Sequence, residues 1–223
     1  MPRVYPQRLW RILLLSFATL AIVAPVVAGP TISGRVVDPD GKGISQAVVF
    51  VDTAGSAESV ASRPPRATMD QISKTFVPGL LPITVGTEVK FPNRDQISHH
   101  VYSFSRAKTF ELPLYKGEDA PPVLFDKPGV VKIGCNIHDW MSAIILVLPN
   151  THFSMTDEEG RFTLSGLQPG TYTVVAWHAQ SREKTADTAQ QVQLAASNLE
   201  LTFQLSLADA HSRPAMRGSR WDQ

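Results

Sequence analysis

A chain of 223 residues is long enough for one large domain or two small ones, each with its own core. With 43% hydrophobic and 18% charged residues its composition is that of an ordinary globular protein. The net charge of +1 becomes about −2 once Arg3, Arg8 and Arg11 of the first 28 residues are set aside, which argues against nucleic acid or another polyanion as partner.

In chain order, the first 28 residues have the three parts of a secretory signal. A basic stretch precedes an apolar run of about 13 residues (12–24), followed by Pro25 and by Val26-Val27-Ala28, where a signal peptidase would cut. The run is shorter than the roughly 20 residues of a membrane-spanning helix, so a cleaved leader is expected rather than an uncleaved anchor, and no stable span remains after cleavage near Ala28. No cysteine lies near the cut for a lipid anchor. The expected location is the periplasm or another exported compartment. There, cysteines usually come in disulfide pairs, yet Cys135 is the only one. A lone thiol in an oxidising space is a liability unless it is buried or holds a metal.

From Gly29 onward the pattern is all-β. Short β-rich runs at 32–37, 47–51, 83–91, 100–104, 130–133, 143–148, 161–164, 172–177 and 199–205 alternate with turn clusters such as Asp38-Pro39-Asp40-Gly41, Asp157-Glu158-Glu159-Gly160 and Pro169-Gly170. Residues 54–66, rich in Ala, Ser, Arg and Pro, read as a linker. Residues 208–223, with Arg213, Arg217, Arg220 and Trp221, read as a flexible tail.

The pieces at 31–53 and 154–206 are related to each other rather than to the middle. The first carries Gly34-Arg35-Val36-Val37-Asp38. The second carries Thr156-Asp157-Glu158-Glu159-Gly160-Arg161-Phe162 and Leu167-Gln168-Pro169-Gly170-Thr171-Tyr172. Joined, they resemble the carboxypeptidase regulatory-like domain, a small transthyretin-like or Ig-like β-sandwich. The expected layout is therefore a split sandwich (29–55 and 150–207) interrupted by a second domain at 66–149. Three units in series is the alternative.

The middle segment carries the chemistry. In Gly134-Cys135-Asn136-Ile137-His138-Asp139-Trp140-Met141, a thiolate, an imidazole and a thioether fit on one short loop around an ion. A second imidazole is on offer upstream, in Asn93-Arg94-Asp95-Gln96-Ile97-Ser98-His99-His100-Val101-Tyr102. Cys135 as an ordinary buried thiol and Met141 as core filler is the plain alternative. Zinc suits Cys and His but rarely takes a thioether, so copper is favoured. His152, His178 and His211 have no partners at ligand spacing and read as surface or turn residues.

These residues resemble the cupredoxins, and the Cys-x₂-His-x₂-Met spacing is most similar to amicyanin. Aligned on Val101, the resemblance puts the upstream ligand at His99 and leaves His100 where the family has Asn. It implies a Greek-key β-sandwich over 66–149 with one type 1 (blue) copper per chain, held by His99, Cys135, His138 and Met141. It further implies an electron carrier rather than an enzyme, with His138 as the electron port, Ile137 and Trp140 at the docking surface, and a redox partner such as a c-type cytochrome or a dehydrogenase. Ile137 stands where the family often has Pro, and Asp139 and Trp140 fill the gap from His138 to Met141; nothing here points to methylamine in particular. The alternative function is copper delivery or sensing without an electron-carrier role.

Overall fold

The structure, a computed structural model, describes residues 29–52 and 64–208. The expected leader, the tail and most of the expected linker lie outside the described residues. The described residues are all-β, interrupted only by a 3₁₀ turn at Thr185–Thr188. No helix among the described residues is long and apolar enough to cross a membrane.

In chain order, β1 (Ile32–Val37) and β2 (Val48–Val51) come first. They are followed by β3 (Arg66–Thr68), β4 (Asp70–Ile72), β5 (Thr75–Val77), β6 (Leu80–Thr84), β7 (Thr87–Lys90), β8 (His99–Ser105), β9 (Lys108–Tyr115), β10 (Val123–Phe125), β11 (Gly129–Cys135) and β12 (His138–Leu148). The last are β13 (Phe153–Met155), β14 (Arg161–Leu164), β15 (Gly170–Trp177), β16 (Gln190–Leu194) and β17 (Leu199–Gln204).

Four sheets stack face to face. The outermost has the order β14-β1-β17, and beneath it lies β13-β2-β15-β16. Then come the five-stranded sheet β6-β12-β11-β8-β9 and the small sheet β10-β7-β3, with the β4–β5 hairpin alongside. Alternation along the strands builds three cores between these layers. Ile32, Val36, Phe162, Leu164 and Phe203 meet Val49, Val51, Val174 and Ala176 in the first. Val48, Phe50, Val175 and Trp177 leave the other face of that middle sheet and press on Val130, Leu146 and Leu148. The remaining faces of β11 and β12, with Val131, Ile133, Ile145 and Val147, close on Val89, Phe91 and Phe125. β2 is accordingly buried at all four of its residues, the pattern of a strand covered on both sides.

One glycine is fixed by close approach. A Cβ on Gly34 would stand 1.7 Å from the Leu201 carbonyl oxygen, so β1 can lie against β17 only without a side chain there.

Two strand assignments from the sequence need correction. The single run 83–91 is two strands in different sheets, because Gly86, at φ 86°, turns the chain after β6. Arg66, expected at the end of the linker, instead opens β3, which pairs in parallel with β7.

Candidate metal centre

Cys135 ends β11 and His138 begins β12, and the two are register partners across a turn of Asn136 and Ile137. The spacing suggests a loop wrapped from Cys135 to Met141. The structure makes it a hairpin whose tip pairs Cys135 with His138; the register then jumps to Gly134 and Ser142, so Asp139, Trp140 and Met141 of β12 stand outside the ladder. A bulge between Gly134 and Cys135 re-aims the thiol, and the Asn136 N–H donates to the His100 carbonyl at 3.1 Å, fastening the tip to β8.

His99 opens β8 and is fully buried. Its Nδ1 lies 3.7 Å from Cys135 Sγ, and His138 Nδ1 lies 3.6 Å from the same sulfur. The three donor atoms are all within 4.8 Å of one another, the one such cluster of His, Cys and acidic side chains found among the described residues. Met141 is 2% exposed and lies in the same buried cluster as Cys135.

Strand alternation separates His99 from His100. His100 points to the opposite face, where its Nε2 meets Glu111 Oε1 at 2.8 Å and its ring stands edge-on to Tyr102. The second histidine of the pair therefore does not face the sulfur.

The tautomer of His99 is set by its neighbours. Its Nε2 is 2.8 Å from Asp95 Oδ2. Burial pushes the Asp95 carboxyl up, but amide N–H groups of Lys74 and Ser73 and the His99 ring outweigh it and hold the group below the usual carboxylate range. An ionised carboxylate only accepts, so Nε2 carries the hydrogen, and in the neutral ring Nδ1 turns its lone pair toward Cys135. At His138, partial desolvation lowers the imidazole pKa, helped by His99 and by the charge of Lys74, with Asp95 opposing. The His138 ring is thus biased toward the neutral, ligating form.

The donor set fits an ion. One thiol proton cannot serve two nitrogens at once, so without a cation the site leaves lone pairs facing each other. Bonds of about 2.0 Å to nitrogen and about 2.3 Å to sulfur, opened by about 110–120°, place N and S roughly 3.5–3.7 Å apart. The observed separations, 3.6 and 3.7 Å, match this spacing.

Behind the site runs a buried polar network that sequence reasoning missed. Tyr115 donates to the Phe91 carbonyl and accepts from Gln71 Nε2 at 2.6 Å; burial pushes its hydroxyl pKa up to about 12. Asn93 Nδ2 donates to the Ile97 and Tyr115 carbonyls at 2.8 and 3.0 Å, while its Oδ1 accepts from the Asp95 N–H at 2.9 Å. Of these, Asp95 had a readable signal, a carboxylate four residues before a histidine in an Asn-led loop. On the outside, Trp140 and Ile137 are 67% and 48% exposed, and the Trp140 ring lies 5.3 Å from that of His138.

No family model matches the chain, and no curated protein does. Among solved structures, similarity extends to a Cu-containing nitrite reductase (NirK) from Thermus scotoductus SA-01, at 26% identity and a TM-score of 0.36. The match covers 44% of this chain but only 25% of that one, so the chain spans about a quarter of that enzyme's length. A purple cupredoxin from Nitrosopumilus maritimus matches at 26% identity and a TM-score of 0.34, over 37% of this chain and 99% of that one. A reduced mutant of amicyanin matches at 20% identity and a TM-score of 0.35, over 45% and 98%.

Proposed function

We propose that the chain is an exported type 1 copper protein that carries electrons between redox partners, its metal held by His99, Cys135, His138 and Met141. The observation that carries this reading is the convergence of two imidazole Nδ1 atoms on the chain's only thiol, at separations that suit bonds to one ion. Copper is favoured over zinc because the fourth candidate donor, Met141, is a thioether. When bound, copper supplies a one-electron couple.

What the chain itself contributes is rigidity and access. Cys135 is paired with Val101 of β8 on one side and His138 of β12 on the other. His99 is held by Asp95. Ligands fixed in advance by strands and hydrogen bonds need little rearrangement when the charge at the site changes. His138 is the ligand that reaches toward solvent, and exposed Ile137 and Trp140 beside it offer a small apolar patch of the kind transient redox partners use. A c-type cytochrome or a dehydrogenase fits that role.

The layout belongs to the same reading. Residues 29–55 and 150–207 form a carboxypeptidase regulatory-like sandwich, and 66–149 form a cupredoxin domain inserted in it. Supporting this, β1 and β2 pair only with strands from β13 onward, while β3–β12 pair among themselves.

The test is a Cu(II) titration of the chain from Gly29, read by visible and EPR spectroscopy, with Cys135→Ser and Met141→Ala alongside. The expected result is an intense thiolate-to-copper band with narrow hyperfine splitting, lost entirely in Cys135→Ser and altered in Met141→Ala. A colourless wild-type protein, or copper bound equally well without Cys135, would overturn the reading. Ready loss of Cu(I) to a competing chelator would move it from carriage to delivery.

A further inference from the structure

The turn of the β4–β5 hairpin consists of Ser73 and Lys74, both in the left-handed region at φ 53° and 58°. Neither is glycine, the residue that tolerates this conformation freely, so the turn is strained unless something holds it. Successive amide N–H groups in such a turn point to one side and form a concave cradle for an anion.

The cradle is filled from within the chain. Ser73 N donates to Asp95 Oδ1 at 2.6 Å and Lys74 N to Asp95 Oδ2 at 2.8 Å. The same Oδ2 lies 2.8 Å from His99 Nε2. Asp95 is held from its other side, where its own N–H donates to Asn93 Oδ1. A hairpin that supplies no ligand is thus two hydrogen bonds away from a ligating ring.

We propose that the Ser73–Lys74 turn is a positioning element of the metal centre, gripping the Asp95 carboxylate so that His99 stays in one tautomer with Nδ1 aimed at Cys135. This rests on the reading of His99 and Cys135 as ligands. The grip needs both carboxylate oxygens: one receives Ser73, and the other is shared by Lys74 and His99. An amide in place of the carboxylate offers one acceptor oxygen to three donors, so either the turn or the ring loses its partner. The side chains of Ser73 and Lys74 play no part in these bonds; their backbone N–H groups and left-handed conformation do.

The experiment uses the full chain, metal-free and ¹⁵N-labelled, with the His99 ring nitrogens read by NMR and copper binding measured separately. Wild type should show a single Nε2–H tautomer. Lys74→Gly keeps the N–H and suits the positive φ, and should leave that signature unchanged. Lys74→Pro removes one donor and forbids the conformation; Asp95→Asn keeps the hairpin sequence and removes the second acceptor. Both should give a mixture of tautomers and a copper affinity lower by about 10- to 100-fold. If Lys74→Pro fails to give a native amide spectrum, Asp95→Asn decides alone. A single Nε2–H tautomer persisting in the folded variants, or Lys74→Gly behaving like them, would overturn the proposal. A colourless wild type with a locked His99 would sink the copper reading alone, whereas a blue wild type with mixed tautomers would sink the positioning role alone.

Discussion

The two cores farthest apart in the stack are made differently. The one between β14-β1-β17 and β13-β2-β15-β16 is aliphatic and aromatic throughout, from Ile32 and Val36 to Phe203 and Leu205. Its buried polar neighbours end on backbone: Asn150 donates to the Val51 carbonyl, and Thr156 bridges the Ile44 carbonyl and the Ala47 N–H. The core beneath the five-stranded sheet includes Cys135, Met141 and Tyr115, with Gln71, Asn93 and His99 buried around them. There the polar groups also end on backbone carbonyls, but in addition Gln71 bonds Tyr115 and His99 faces the sulfur. Burying so much polarity lowers stability unless every group is partnered, and Gln71 Oε1 is not. The first core is built to hold shape, and the second gives up some of that for a chemical site.

The sharpest way to break this contrast is to damage the scaffold and look for an effect at the site. Phe203 is 2% exposed and packs against Phe162 at 5.9 Å between ring centroids. Phe203→Ala should cost about 3–5 kcal/mol in denaturant unfolding. The copper spectrum of the folded fraction should not change; a shifted band would mean the two cores are not separate in function.

A smaller loss is expected from Tyr115→Phe. Removing the hydroxyl takes one bond each from the Phe91 carbonyl and Gln71 Nε2, which still bond each other at 3.0 Å, so the loss is about 0.5–1.5 kcal/mol. The same variant changes the alkaline limb. The hydroxyl titrates near 10 when unfolded and about 12 when folded, so its contribution is fully present below about pH 10 and is lost as pH rises toward 12. Tyr115→Phe should flatten that part of the stability curve, and an unchanged slope would remove Tyr115 as its cause.

The smallest effect is expected in the scaffold. Burial pushes the Glu183 carboxyl up, but bonds from Ser181 and from the Ser206 amide at 2.9–3.0 Å outweigh it and leave the pKa lowered. A depressed carboxylate stabilises above its ordinary pKa near 4.5 and loses that contribution as pH falls through the folded value. Thermal melting of Glu183→Gln should therefore be lower than wild type at pH 7 and converge with it in acid; a constant gap would point to packing instead.

The sequence made the site more legible than the fold around it. The candidate donors Cys135, His138 and Met141 can be singled out because their spacing is local, and the all-β character follows from recurring short runs between turns. Strand β9 escaped because Pro113 sits inside it. Proline lacks the ladder N–H and ordinarily argues against a strand, but β9 is an edge strand, where that loss is tolerated. The run at 83–91 misleads in the opposite direction, since an isolated Gly86 in an apolar stretch looks like a defect in one strand rather than a corner between two. What holds Asp95 was unreadable for a different reason: its carboxylate is gripped by a hairpin more than twenty residues away, at Ser73 and Lys74.

The pairing of β1 with β17 also sets a timetable. Thr31 and Asn198, joined at the start of that ladder, are 167 residues apart in the chain, and Val51 and Asn150 at the other end of the scaffold are 99 apart. Closing loops of that size costs entropy before any contact repays it, and the cost falls once the intervening residues have collapsed. Along the chain β1 and β2 precede every strand they pair with, while β3–β12 pair among themselves. Collapse of β3–β12 shortens the loops from β2 to β13 and from β1 to β17, so these two pairings are expected to be secured after it.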